Sequence, residues 1–258
     1  MKEGVVKIRA FRAMDDVRSS EKFVEGHQKV LAAHGVKKVT SLNLEWISNP
    51  AVFVINVESA DGKKVYGGAR VQAAGGTSRL PIEEATGYMD NKVYDEVEKQ
   101  SIHGTGELCG LWNSVEVAGL GIGSFFATRA GVTLCSQIGI DSLFALCAPY
   151  TVRWAERVGC KVLSHLGNDG TFYYPKLDLL ATATLLHDTT TMVNARPVER
   201  QKVFNLRNNP KQILAENPPG KRFEVEIDYD LFLPTANPKE FKSPIMPAIK
   251  NAENFPSI

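Results

Sequence analysis

"LWNSVEVAGLGIGSFFATRAG", residues 111–131, decides how this chain is read. Gly119, Gly121 and Gly123 alternate, and two phenylalanines follow at once. Ordering glycine costs more backbone entropy than ordering any other residue, so glycines ahead of an apolar helix need a compensating use. Beyond them Phe126, Ala130, Leu134 and Ile138 fall on one helical face, and Gly139 stands where that helix should stop. "TGELCGLWN" before the glycines has the composition of a buried strand, and "DSLFALCA" after the helix is an apolar run suited to a central strand. Pro149 opens "YTVRWAERVG", a second helical stretch closed by Gly159. Strand, glycine loop, helix, strand, helix predicts parallel neighbouring strands joined by a right-handed crossover.

Working outward, "GVVKIRAFRAMDD" reads as a strand with Val6, Ile8 and Ala10 on one face. A helix follows, capped by Ser19 or Ser20, with Phe23, Val24, His27, Val30, Leu31 and His34 at helical spacing and Gly35 at its end. "AVFVINVESADGKKVYGGARVQAAGG" reads as a β-hairpin turning at Asp61-Gly62. After a polar, Pro-containing segment, a short helix is expected around residues 91–99, with Val93, Tyr94 and Val97 as its apolar side. Further strands are expected at "KVLSHLG", "LLATATLLHDTTTM" and "RFEVEIDYDLFL", and a helix at "PVERQKVFNLRNNP". With prolines at 234, 238, 244, 247 and 256, the last stretch reads as an irregular tail. The expected division is a core over 1–180, completing strands and a helix over 181–233, and the tail over 234–258.

The 258 residues carry 30 Lys and Arg against 29 Asp and Glu, a formal charge of +1 with no basic run, which argues against a nucleic-acid partner. The start lacks the apolar stretch of a signal peptide, and the longest apolar runs are far shorter than the ~20 residues a bilayer span takes. Cys109, Cys135, Cys147 and Cys160 form no C-x-x-C pair and sit among apolar neighbours, the pattern of reduced thiols in a cytoplasmic protein. No zinc-ligand spacing is present, so no metal is expected.

Alternating glycines at a helix start can aim several backbone N–H groups at one point, where the helix terminus adds partial positive charge: an anion site suited to phosphate. A tight strand-to-helix turn with no ligand accounts for the same glycines. The P-loop is excluded, because Gly-Ser-Phe stands where Gly-Lys-Ser/Thr is needed. The dinucleotide fingerprint fits poorly: Ser124 takes its third small position, and Asp141 stands at the start of the next strand instead of its end.

Residues 111–163 resemble the signature region of the GNAT superfamily of N-acyltransferases. That pattern is Arg or Gln, two residues, Gly, any residue, then Gly or Ala, followed by an amphipathic helix, a strand and a helix ending in "lGF". Gly121 and Gly123 fill its glycine places, Gly119 matches its frequent "RGxGIG" form, and "RVGCKVL" matches its ending. "GGARVQAAGGTSRLPIEE" followed by "GELCGLWNS" is similar to the acyl-homoserine-lactone and N-acyl-amino-acid synthase branch, with Arg70, Leu80-Pro81 and Glu107 in matching places. The sequence departs from the pattern at Ala118 (Arg or Gln in the family), at Gly110 (Arg in the synthases) and at Ala155 (a Tyr in many members).

The resemblance implies an α/β, GNAT-like fold with a central mixed sheet flanked by helices and a C-terminal extension. It implies coenzyme A or acyl-CoA as cosubstrate, with an acyl-carrier protein as the other possible donor, and a small-molecule amine acceptor. Backbone amides from Gly119, Leu120, Gly121, Ile122, Gly123 and Ser124 would hold phosphate, and those of Leu111, Trp112 and Asn113 would polarise the thioester carbonyl. An ammonium has no lone pair, so a base is required. Glu107, on an apolar strand that would raise its pKa, is the first candidate and His103 the second. Tyr150, Tyr173 or Tyr174 would replace the missing acid at Ala155, and Arg70 and Arg79 would take an acceptor carboxylate. Cys109 reads as a core thiol rather than a nucleophile. Two other readings stay open: a non-catalytic protein of this fold that binds acyl-CoA, and an NAD(P)-linked oxidoreductase.

Overall fold

The computed structural model describes residues 6–33, 35, 44–117 and 122–241. Within them the elements run β1 (Val6–Arg12), α1 (Val17–Ala33), β2 (Val52–Ser59), β3 (Val65–Ala73), α2 (Pro81–Thr86), α3 (Lys92–Ser101), β4 (Thr105–Asn113), α4 (Ser124–Ile138) and β5 (Ser142–Cys147). They continue with α5 (Val152–Arg157), β6 (Lys161–Val162), β7 (Thr171–Tyr173), β8 (Leu180–Leu186), α6 (Pro197–Asn208), β9 (Lys211–Glu216) and β10 (Val225–Asp230). One mixed sheet forms in the order β6-β8-β5-β4-β3-β2-β1-β10-β9, with β7 paired to β8.

The pairs β1–β2, β2–β3 and β3–β4 are antiparallel, β4 and β5 run parallel across α4, and β10 adds in parallel beside β1. Residues beyond 180 therefore extend the sheet at both ends. The hairpin turns where expected: Gly62 takes φ +65°. Gly139 closes α4 at φ +71°, with its N–H donated to the Cys135 carbonyl.

Side chains alternate between two covered faces. On one, Ile8, Phe53, Ile55, Ala69, Val71 and Leu108 pack under α4. On the other, two apolar clusters stand apart. Phe23, Val24, Trp46, Val54 and Trp112 form one, beneath α1 and a 3-10 segment, Leu44–Ser48. Leu80, Ile82, Val93, Val97 and Phe144 belong to the second, beneath α2 and α3. On this face β2, β3 and β4 carry buried polar side chains, Asn56, Arg70, Gln72 and Glu107.

Four expectations change. α1 begins at Val17, and Asp16 rather than Ser19 or Ser20 accepts the free N–H, that of Ser19. α4 is buried on nearly every side, because α6 and the strand after it cover the flank the sequence leaves polar. The strand expected at "KVLSHLG" shrinks to Lys161–Val162, since the chain turns at Leu163. α2, β7 and β9 were not foreseen: α2 starts on a proline in a polar stretch, and the two strands sit at the margin of the sheet.

Candidate active site

The site is built on β4. Its ladder with β5 covers only Thr105, Gly106 and Glu107, while β5 continues to Cys147 against β8. From Leu108 onward β4 has no strand partner on that side. On its other side Arg70 pairs with Cys109 but Gly68 with Trp112, so Ala69 faces both Gly110 and Leu111. That is a β-bulge, and Gly110 takes φ +59°, a backbone state that suits glycine. Bulge and parting together leave main-chain groups between Leu108 and Asn113 available to a ligand.

At the end of β4, Asn113 donates its side-chain amide to the Ser124 hydroxyl at 2.7 Å and ties the first turn of α4 to the strand. Gly123 is required there, since a Cβ would stand 1.6 Å from Asn113 Oδ1. Ile122 is buried in the α4 core. The structure thus brings Leu111, Trp112, Asn113, Gly123 and Ser124 to one end of β4. Ala118, Gly119, Leu120 and Gly121 lie outside the described residues.

Glu107 is 2% exposed. Its Oε2 accepts the Ile82 N–H at 2.6 Å, from the first turn of α2. Burial pushes its carboxyl up to about 8, against the opposing pull of that N–H and of Arg70. The Cys109 thiol is pushed up to about 12 by burial and stays protonated, as suits a core thiol.

Arg70 is 1% exposed, and its guanidinium stacks on Trp46 at 4.2 Å. It makes no ion pair with any described residue, and its Nε and Nη1 have no hydrogen-bond partner. Glu84 and Glu107 feel its charge without touching it. A buried cation left this way is costly unless a ligand completes it. Arg79 is exposed and lies over Tyr94, with its backbone carbonyl bonded by Gln72.

His103 sits just before β4, exposed beside a surface depression lined by Asp141 and His187. His103 precedes β4, at the opposite end of that strand from Asn113, so the structure does not bring it to the bulge. Tyr150 follows β5 at the same sheet edge as the start of α4 and is 70% exposed. Tyr173 is exposed on β7. Ala155 is buried in the α4-side core.

Sequence reading placed His27 on the apolar face of α1 and gave it no role. In the structure its ring stacks on Trp112, centroids 6.4 Å apart, and lies beside Gly110. The signal was present in outline: an imidazole at a core-facing position with no polar partner in view.

Among the described residues, no helix is long and apolar enough to cross a membrane, and no group of three or more His, Cys, Asp or Glu side chains is placed to hold a metal ion. The chain matches no protein-family model and no curated protein sequence. Solved structures are similar. An N-acyl amino acid synthase from uncultured soil microbes, FeeM, matches over 77% of this chain and 98% of its own, at 13% identity and a TM-score of 0.56. A CoA-dependent acyl-homoserine lactone synthase, MesI, matches over 81% of this chain and 100% of its own, at 12% identity and a TM-score of 0.51. The fold is the GNAT-like acyltransferase fold, shared with these two synthases.

Proposed function

We propose that this protein is a cytoplasmic N-acyltransferase that moves an acyl group from a pantetheine thioester to the primary amine of an amino acid. The donor is acyl-CoA, or the same thioester on an acyl-carrier protein. The observation that carries the reading is Arg70: a buried guanidinium with no ion pair among the described residues, in line with Glu107 and beside the bulge of β4. An acceptor carboxylate would complete it. FeeM and MesI, which share the fold, support acyl transfer by their chemistry.

The residues present fit a pantetheine ligand. The stretch of β4 parted from β5 offers a place for an extended chain, and α4 opens at Gly123 where a phosphate would meet helix N–H groups. A bound thioester would supply an electrophilic carbonyl. Amides between Leu111 and Asn113 would polarise its oxygen. Arg70 would hold the acceptor carboxylate; the ammonium would give its extra proton to solvent on binding, and the ionised Glu107 would take one of the two remaining N–H protons, directly or through water, as the nitrogen attacks. The nitrogen then forms the new C–N bond as the C–S bond breaks, and the sulfur leaves with its electron pair to be protonated. Tyr150, on the same edge, is the proposed proton donor. Arg79 is a second proposed contact for the acceptor, whereas His103, at the far end of β4, is given no part in the transfer.

The test is thiol release by the purified chain, with acyl-CoAs of several lengths, measured with and without each standard amino acid. Amino-acid-dependent release with formation of the N-acyl product is expected. Coenzyme A binding without release under any acceptor would favour the non-catalytic reading. Stabilisation by NAD(P) and not by coenzyme A would favour the oxidoreductase.

A further inference from the structure

Buried polar atoms without partners belong to one cluster of side chains beside the β4 bulge. A Cβ built on Gly110 would stand 3.4 Å from Arg70 Nε, 3.5 Å from the Phe23 ring and 3.9 Å from His27 Cε1. Arg70 Nε and Nη1, His27 Nδ1, and the indole N–H groups of Trp46 and Trp112 are all buried, and none has a hydrogen-bond partner. These side chains are 1%, 5%, 6% and 4% exposed respectively, taking Arg70, His27, Trp46 and Trp112 in turn. Native interiors leave few such groups unpaired, so several in one cluster of side chains point to a ligand that pairs some of them.

The set is chemically mixed. Arg70 and the indoles are donors only. His27 differs, since a neutral imidazole keeps one ring nitrogen as an acceptor. Its neighbours hold it in place: Trp112 stacks on it at an interplanar angle of 13°, and Phe23 meets its edge at 5.9 Å between centroids. Arg70, beside it, disfavours a second cation. The cluster therefore sets a fixed cation suited to a carboxylate beside one acceptor nitrogen on a rigid aromatic bed.

We propose that His27 is a substrate-contacting residue of the acceptor subsite: its Nδ1 accepts a hydrogen bond from the amino group of an amino acid whose carboxylate is held by Arg70. This rests on the reading above and deepens it. The amine carries two hydrogens when neutral. One leaves for Glu107 as the C–N bond forms; the other stays in the amide product, and that is the hydrogen His27 holds. Fixing it aims the nitrogen lone pair at the carbonyl carbon.

Three substitutions test the assignment. His27→Phe keeps a ring for stacking and deletes both nitrogens. His27→Asn places an amide near the position of Nδ1, and His27→Gln places one near Nε2. Titration calorimetry with each standard amino acid is read beside thiol release with decanoyl-CoA. For His27→Phe, amino-acid affinity and acceptor kcat/KM should fall roughly tenfold or more, with the KM for decanoyl-CoA unchanged. His27→Asn should recover most of the loss and His27→Gln should not.

Wild-type affinity and acceptor kinetics in His27→Phe would overturn the proposal. So would His27→Gln performing as well as His27→Asn, a comparison that still decides the matter if His27→Phe fails to fold. If the wild-type protein binds no amino acid, the assignment falls. If it binds one but releases no thiol, the transfer reading falls instead, and binding alone still judges His27.

Discussion

Glu107 and His27 are both buried on one face of the sheet, and burial drives their titrations in opposite directions. The carboxyl rises to about 8 and the imidazole falls to about 4, in each case because the charged form is desolvated. For Glu107 the folded state binds a proton that the unfolded chain has released, so this group lowers stability progressively as pH rises from about 4.5 toward 8. For His27 the unfolded chain binds the proton first, so stability is lost as pH falls from about 6.5 toward 4. Glu107→Gln removes one of these terms. Urea unfolding at several pH values should show the variant gaining on the wild type by roughly 3–4 kcal/mol between pH 5 and pH 8. In the same variant the acyl-transfer rate should collapse, whereas wild-type kcat/KM should climb with pH toward an apparent pKa near 8. A stability difference independent of pH would show that Glu107 stays ionised. Glu107 was legible because an acid stands in an apolar strand. Its partner, the Ile82 N–H, was not, because α2 was invisible in the sequence. His27 was legible only as a helix position, since its convergence with Arg70 on Gly110 spans α1, β3 and β4.

At the scale of elements, a glycine within α1 lets the helix lie close against the sheet. A Cβ on Gly26 would stand 2.1 Å from the indole of Trp112. Trp112 cannot swing aside freely, as His27 stacks on one side and Phe23 packs edge-on at 5.8 Å between centroids. Exchange of glycine for alanine inside a helix ordinarily gains ~1 kcal/mol. Here overpacking of about 1–3 kcal/mol opposes that gain, so Gly26→Ala should be destabilising in urea unfolding and should weaken amino-acid binding by displacing His27. A more stable variant would mean that α1 rides loosely on the sheet. The same local chemistry explains what could be read beforehand. The hairpin announced itself by Asp61-Gly62, and β4, α4 and β5 by composition, a helical face and Gly139. β9 gave no such signal: its exposure alternates at a sheet edge, and what holds it is pairing to the distant β10. The bulge that defines the site was unreadable too, because two residues opposing one is a property of the β3–β4 pairing and not of either strand alone.

For the whole molecule, the question is what keeps α4 fixed while its first turn serves the site. The helix is apolar on its sheet side, yet it carries Arg129, 2% exposed, on the side turned to the C-terminal elements. Arg129 donates to Glu199 of α6 at 2.9 and 3.0 Å and to Glu216 of β9 at 2.9 Å. Lys202 also pairs with Glu216, and the Tyr229 hydroxyl of β10 lies 3.5 Å from that carboxylate. Two cations and two carboxylates thus join three parts of the chain that are far apart in sequence. The sequence shows one apolar face on α4, and residues 181–233 read as strands and a helix completing or extending the core, but nothing local says that Arg129 meets an acid 70 residues on. Such a buried network contributes little net stability when intact, but removing one partner strands the others. Arg129→Met should therefore lower unfolding free energy by about 3–5 kcal/mol. Adding Glu199→Gln and Glu216→Gln should restore part of the loss by removing the stranded carboxylates. If α4 is held by this network, the single variant should also lose stabilisation by coenzyme A, measured by thermal shift, while the triple variant regains it with its fold. Equal stability of Arg129→Met and wild type would mean that apolar packing from Phe126 to Ile138 holds α4 unaided, and that the C-terminal strands are a covering the site does not need.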